Sequence, residues 1–109
     1  MANNIPLIVF PVKDIDKAKK FYTTFLEIDP YVDGEYYVGY KLNGLEVGLD
    51  PNGTAVISYI DVDNIEISLK TLQDAGAKVI KDSTDVGGGL LIAQVEIEGN
   101  VMGLRQQSK

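Results

Sequence analysis

The sequence predicts an α+β fold: two βαβββ modules forming a curved mixed sheet around a cleft, with the helices on the outer face. Three observations predict it. Extended and helical segments follow the order β-α-β-β-β and then repeat it. The two helices open alike, on Val12-Lys13-Asp14-Ile15 and on Val62-Asp63-Asn64-Ile65. The last strand of each half carries a Gly-Leu pair, Gly48-Leu49 and Gly103-Leu104. Residues 1–109 suit one domain, with modules over about residues 1–53 and 54–109.

In the first half, Ile5 to Phe10 is rich in branched and aromatic residues and stops at Pro11, as a strand does. Asp14 is placed to cap a helix, because its carboxylate can accept from the open N–H groups of the first turn. From there Ile15, Ala18, Phe21, Tyr22, Phe25 and Leu26 recur at helical spacing, which predicts one apolar face opposite Lys17, Lys19 and Lys20. The helix ends before Asp29-Pro30. Tyr31-Val32 reads as a short strand. Tyr36 to Leu42 and Leu45 to Leu49 are joined by Asn43-Gly44, a pair suited to a type I′ hairpin turn because both positions tolerate positive φ. Alternation then points Leu45, Val47 and Leu49 to a core and Glu46, Gly48 and Asp50 to the cleft. On the partner strand it sends Tyr36 and Tyr40 to the core and Tyr37 to the cleft.

The second half restarts after Pro51-Asn52-Gly53. Val56 to Val62 reads as a strand, Asn64 as a helix cap, and Ile65, Leu69, Leu72 and Ala75 as the apolar face of a helix that ends at Gly76. Val79-Ile80 predicts a short strand. Gly87-Gly88-Gly89 is a connector or a mobile lip over the cleft, and lacks the Lys-Ser/Thr of a phosphate loop. Leu90 to Ile97 and Val101 to Gln106 complete the module.

Composition excludes several functions. The net charge is −6, from 16 acidic and 10 basic residues, which makes a phosphate-neutralising stripe hard to build, so no nucleic-acid partner is expected. The N-terminal apolar run is too short for a signal or a membrane span, so no membrane partner and a cytoplasmic location are expected. There is no cysteine, hence no thiolate nucleophile. There is no histidine either, which removes the usual general base and most transition-metal sites.

A strand, then Val12-x-Asp14-Ile15, then a helix bearing Phe21-Tyr22, then a Gly-containing hairpin, and the same module again, resembles the glyoxalase/bleomycin-resistance/dioxygenase (vicinal oxygen chelate) superfamily from about Ile5 to Gln106. The resemblance implies lyases, isomerases and dioxygenases where a metal is held by four His or Glu ligands, and antibiotic-sequestering binding proteins where it is not. It places those ligands at Leu7, Gly48, Ile57 and Gly103, none of which can bind a metal. A shift of one residue does not restore a donor set, since the neighbours are Pro6, Ile8, Val47, Leu49, Val56, Ser58, Met102 and Leu104.

No metal and no cofactor are therefore expected, and the leading function is metal-free binding of a planar or anionic small molecule by a homodimer. The alternatives are a lyase- or isomerase-like enzyme using Glu46, Asp50 or Glu96 as acid or base, and a structural dimer without ligand. Candidate ligand-binding residues are Tyr37 and Tyr59, which can stack on a ring; Arg105, which strand alternation aims at the cleft and which can grip an anion bidentately; and Glu46, Gln94 and Glu96, which share cleft faces. No catalytic residue is assigned.

Overall fold

The computed structural model describes residues 4–107. They divide into two compact units, Pro6–Ile57 and residues 58–107 with residues 4–5. In the first, β1 (Leu7–Pro11) leads through the capping residue Asp14 into α1 (Ile15–Leu26), followed by β2 (Val32–Asp33), β3 (Val38–Leu42) and β4 (Leu45–Asp50). The Asp14 carboxylate accepts from the Lys17 N–H at 3.0 Å, as its position ahead of the apolar repeat predicts. The β3–β4 hairpin closes at Asn43-Gly44, with Leu42 opposite Leu45; Gly44 takes φ 83° but Asn43 is not at positive φ, so the turn is not the expected type I′. β1 then lies parallel to β4 on its other side, so the strand order is β2-β3-β4-β1 and the sheet is mixed.

Helix α1 covers one face of this sheet. Val38, Tyr40, Val47 and Leu49 are buried there against Phe10, Ile15, Ala18, Tyr22 and Leu26. Tyr40, fully buried, donates its hydroxyl to the Lys19 carbonyl at 3.0 Å and shares a 2.7 Å hydrogen bond with the Thr23 hydroxyl, which ties the sheet to the helix. Tyr40→Phe is expected to cost about 1 kcal/mol, the net worth of such a bond, read as a lower midpoint in urea denaturation at unchanged slope. Lys19 also meets Asp33 at 2.7 Å; the hydrogen bond to that carboxylate raises the lysine pKa from its ordinary value.

Three expectations for this unit are corrected. Phe21 and Phe25 are not on the core face but 65% and 84% exposed. At 3.6 residues per turn they lie about 120° and 80° from Ile15, whereas Tyr22 and Leu26 lie within about 20° of it, so only the narrower stripe reaches the sheet. Tyr36 is exposed, because the strand starts at Val38 and that residue takes the first core position. The short strand is Val32–Asp33 rather than Tyr31-Val32, which leaves Tyr31 outside it.

The second unit repeats the plan with β5 (Ile57–Asp61), α2 (Ile65–Asp74), β6 (Lys78–Asp85), β7 (Leu91–Ile97) and β8 (Asn100–Gln106) in the order β5-β8-β7-β6, β5 and β8 parallel. The Asn64 side chain accepts from the Ile67 N–H at 3.1 Å, and Gly76 takes φ 108° just after the helix. The repeat extends to single hydrogen bonds: Val12 N–H donates to the carbonyl of Asp50, and Val62 N–H to that of Arg105. Ile65 and Leu69 of α2 are buried against Val62, Ala93, Val95 and Leu104. Strand β6 is far longer than Val79-Ile80. It is paired on one side only, to β7, with register shifts at Val79/Lys81 and Lys81/Thr84, so its polar half Lys81 to Asp85 carries no periodic signal yet pairs through backbone. The glycine loop is a tied connector: Gly87 N–H donates to the Asp85 carboxylate at 2.7 Å and Val86 N–H to the Leu90 carbonyl at 2.9 Å. Among the described residues no helix is long and apolar enough to cross a membrane.

Candidate functional site

In the first unit the face opposite α1 is built on two glycines. Pairing places Gly39 of β3 directly beside Gly48 of β4, and Val9 of β1 beside Gly48 on the other side. Neighbouring glycines leave a floor without side chains, onto which large rings can settle. Two tyrosines do so. A Cβ at Gly39 would stand 3.1 Å from Cε1 of Tyr31 and 3.2 Å from Cε2 of Tyr37. A Cβ at Gly48 would collide with the Tyr37 hydroxyl and stand 2.7 Å from its Cζ.

Charged groups frame these rings. The Tyr31 hydroxyl donates to the Glu46 carboxylate, and its backbone N–H donates to the Gly39 carbonyl at 2.9 Å. Lys41, paired in register with Glu46, holds its ammonium 4.6 Å from the Tyr31 ring centroid, a cation–π arrangement. Tyr31 is about half exposed and Lys41 exposed, while Tyr37 and Glu46 are half-buried. This cluster offers aromatic surface, one cation and one anion within a few residues, and Tyr31 is oriented by a charge-assisted hydrogen bond.

In the second unit the face opposite α2 is more closed. Tyr59 of β5 lies across Gly103 of β8, so that a Cβ there would meet the ring itself, with Cγ 2.7 Å away. The Tyr59 hydroxyl accepts from Gln94 Nε2 at 3.0 Å; Gln94 sits beside Gly103 on β7, which completes a row across three strands. Along β8, Arg105 is buried and its Nε donates to Asp61 at 3.0 Å. Glu96 is exposed beside Val101. Asp50, in the first unit, accepts from the Asn52 N–H in the turn that follows β4.

Tyr37 and Glu46 belong to the first cluster, while Tyr59 and Gln94 form one contact, Arg105 joins Asp61, and Glu96 stands apart. On β4, Val47 and Leu49 are buried in the core while Gly48 between them lies under the Tyr37 ring, and on β7 Ala93 and Val95 are buried while Gln94 between them reaches Tyr59. Sequence reasoning missed Gly39, Tyr31 and Lys41. Counting outward from Asn43-Gly44 puts Gly39 opposite Gly48 and Lys41 opposite Glu46, so that signal was available; Tyr31 comes from outside the hairpin and had none. Asp61 was missed as the partner of Arg105 because a parallel register cannot be counted from a turn.

The residues do not fit the metal of the resemblance. Leu7, Gly48, Ile57 and Gly103 have no donor atoms, and tyrosine rings fill the space beside both glycines. Among the described residues no three acidic, histidine or cysteine side chains gather.

No protein-family model and no curated protein matches the sequence. Solved structures do match. A hypothetical protein from Bacillus halodurans C-125 superposes with TM-score 0.81 at 14% identity, over 97% of this chain and 95% of that one. A methylmalonyl-CoA epimerase of Streptomyces coelicolor gives 0.75 at 15%, over 100% of both chains. A glyoxalase/bleomycin resistance protein/dioxygenase superfamily member from Vibrio splendidus 12B01 gives 0.71 at 18%, over 92% of this chain and 95% of that one. At such identities the likeness is one of fold: the chain has the fold of the glyoxalase/bleomycin resistance/dioxygenase superfamily.

Proposed function

We propose that the chain is a small-molecule binding module that works without a metal, with its ligand face on the first unit at Tyr31, Tyr37, Lys41 and Glu46. The observation that carries this reading is the glycine pair Gly39 and Gly48 overlaid by two tyrosine rings. Aromatic surface stands where the resemblance would put a metal donor, and it is framed by a lysine. A ring that stacks on tyrosine gains from offset or edge contacts, and a negative group on it gains from the ammonium of Lys41. The ligand class is therefore a planar aromatic monoanion.

The test uses 2-naphthoate and its neutral amide. The chain has six tyrosines and no tryptophan, so tyrosine fluorescence reports directly on stacking. Naphthoate is expected to quench that emission and raise the melting temperature, and Tyr37→Ala to weaken its binding by about 1 kcal/mol, roughly fivefold. Lys41→Met should lower affinity for the acid and leave the amide unchanged. Elemental analysis of the same preparation is expected to find no stoichiometric zinc, iron, nickel or manganese. A metal ion per chain, or equal quenching by acid and amide in both variants, would overturn the reading.

A further inference from the structure

We propose that Asn43 is a site of self-modification, losing its side-chain amide to attack by the Gly44 backbone nitrogen, and that the fold holds the chain's other Asn-Gly pair, Asn52-Gly53, inert. In this chemistry the Gly44 nitrogen forms a bond to Asn43 Cγ and gives up its proton. The bond from Cγ to the amide nitrogen breaks, and ammonia leaves with that proton. The resulting five-membered imide takes up water at either carbonyl, breaking one of its two carbon–nitrogen bonds, and yields aspartate or isoaspartate. No electrons are transferred; one water is consumed, one ammonia released, and one negative charge gained.

The attack needs an uncommitted glycine nitrogen, an asparagine side chain able to turn back on its own backbone, and open space around the glycine. The hairpin tip supplies all three. Asn43 and Gly44 are exposed, and no heavy atom lies within 4 Å of the point where a Gly44 side chain would begin. Among the described residues none accepts from the Gly44 N–H and none bonds to the Asn43 side chain. The second pair differs in the glycine nitrogen and in the space around it. Gly53 N–H donates to the Asp50 carbonyl at 3.3 Å, and Asn52 N–H to the Asp50 carboxylate at 2.8 Å. On Gly53, a Cβ would stand 3.2 Å from the Pro11 side chain. Attack at Asn52 must first free the Gly53 nitrogen from Asp50 and open a packed turn. Asn4, Asn64 and Asn100 precede Ile5, Ile65 and Val101, whose branched side chains crowd the nitrogen.

Isoaspartate at Asn43 would place an extra backbone carbon in the two-residue turn that sets the β3–β4 register. The test is peptide mapping by mass spectrometry of the intact chain held in mildly alkaline buffer, folded and in concentrated urea. The Asn43 peptide is expected to gain about 1 Da on conversion. In the folded chain it should convert at least about tenfold faster than the Asn52 peptide, the factor equivalent to one hydrogen bond of ~1.4 kcal/mol. In urea the two rates should converge. Equal rates in the folded chain would overturn the proposal, and so would a ratio that survives unchanged in urea, since the selectivity would then lie in sequence and not in the fold.

Discussion

Gly103→Ala is expected to destabilise the chain by about 1–3 kcal/mol, the usual cost of overpacking a closed interior site. The added methyl has no room, because the Tyr59 ring lies against Gly103 at its Cγ, Cδ1 and Cε1 atoms, the part of the side chain nearest its own backbone. Tyr59 is only 6% exposed and is held at its far end by Gln94, so the ring cannot swing aside. At Gly48 the first atom met is instead the tip of the Tyr37 side chain, which is half-buried and can shift, so Gly48→Ala should cost less. Urea denaturation of the two variants, with Tyr59→Ala and the Gly103→Ala/Tyr59→Ala double variant, checks this. The double variant should be more stable than the sum of the single losses implies. Strict additivity would mean that the ring and the glycine are not packed on one another.

Arg105→Met is expected to cost about 2 kcal/mol. Removing one partner of a fully buried ion pair costs roughly 3–5 kcal/mol, because the other charge is left without its counter-charge, and the 26% exposure of the Asp61 side chain lets water recover part of that. Adding Asp61→Leu should restore most of the loss, since two apolar groups of similar shape often replace such a pair without penalty. The Val62 N–H to Arg105 carbonyl bond is retained in every variant, so the entry to α2 stays anchored. If Arg105→Met leaves the urea midpoint where it was, the pair contributes nothing to folding.

The parts of the fold that were legible in sequence are those where one face is buried and one is not. Leu45 to Asp50 alternates strictly, and Val47 and Leu49 enter the core as the alternation predicts while Gly48 lies under the Tyr37 ring. The two caps, Asp14 and Asn64, were legible because capping depends on a local hydrogen bond three residues long. Strand β6 was not, since a strand paired on one side and largely wet on both faces needs no apolar pattern. Helix α1 shows the opposite failure: its apolar residues extend beyond the stripe that packing can use, so Phe21 and Phe25 looked like core and are not. Of the candidate site, facing was legible and company was not. Alternation says which way Tyr37 and Arg105 point; that Tyr31 joins one and Asp61 the other depends on contacts between segments distant in sequence.

The two glycine caps also bear on what each position can accept. The rings reach their glycines by different routes, from the approach to β3 in one module and from β5 in the other, where the repeat-equivalent residue of β1 is Val9. The two halves therefore cover their glycines with rings from different elements. A donor side chain placed at Gly48 or Gly103 would meet an occupied position, so such a substitution lowers stability before it can confer metal binding. Making room for a donor requires moving a ring as well, Tyr37 at Gly48 and Tyr59 at Gly103.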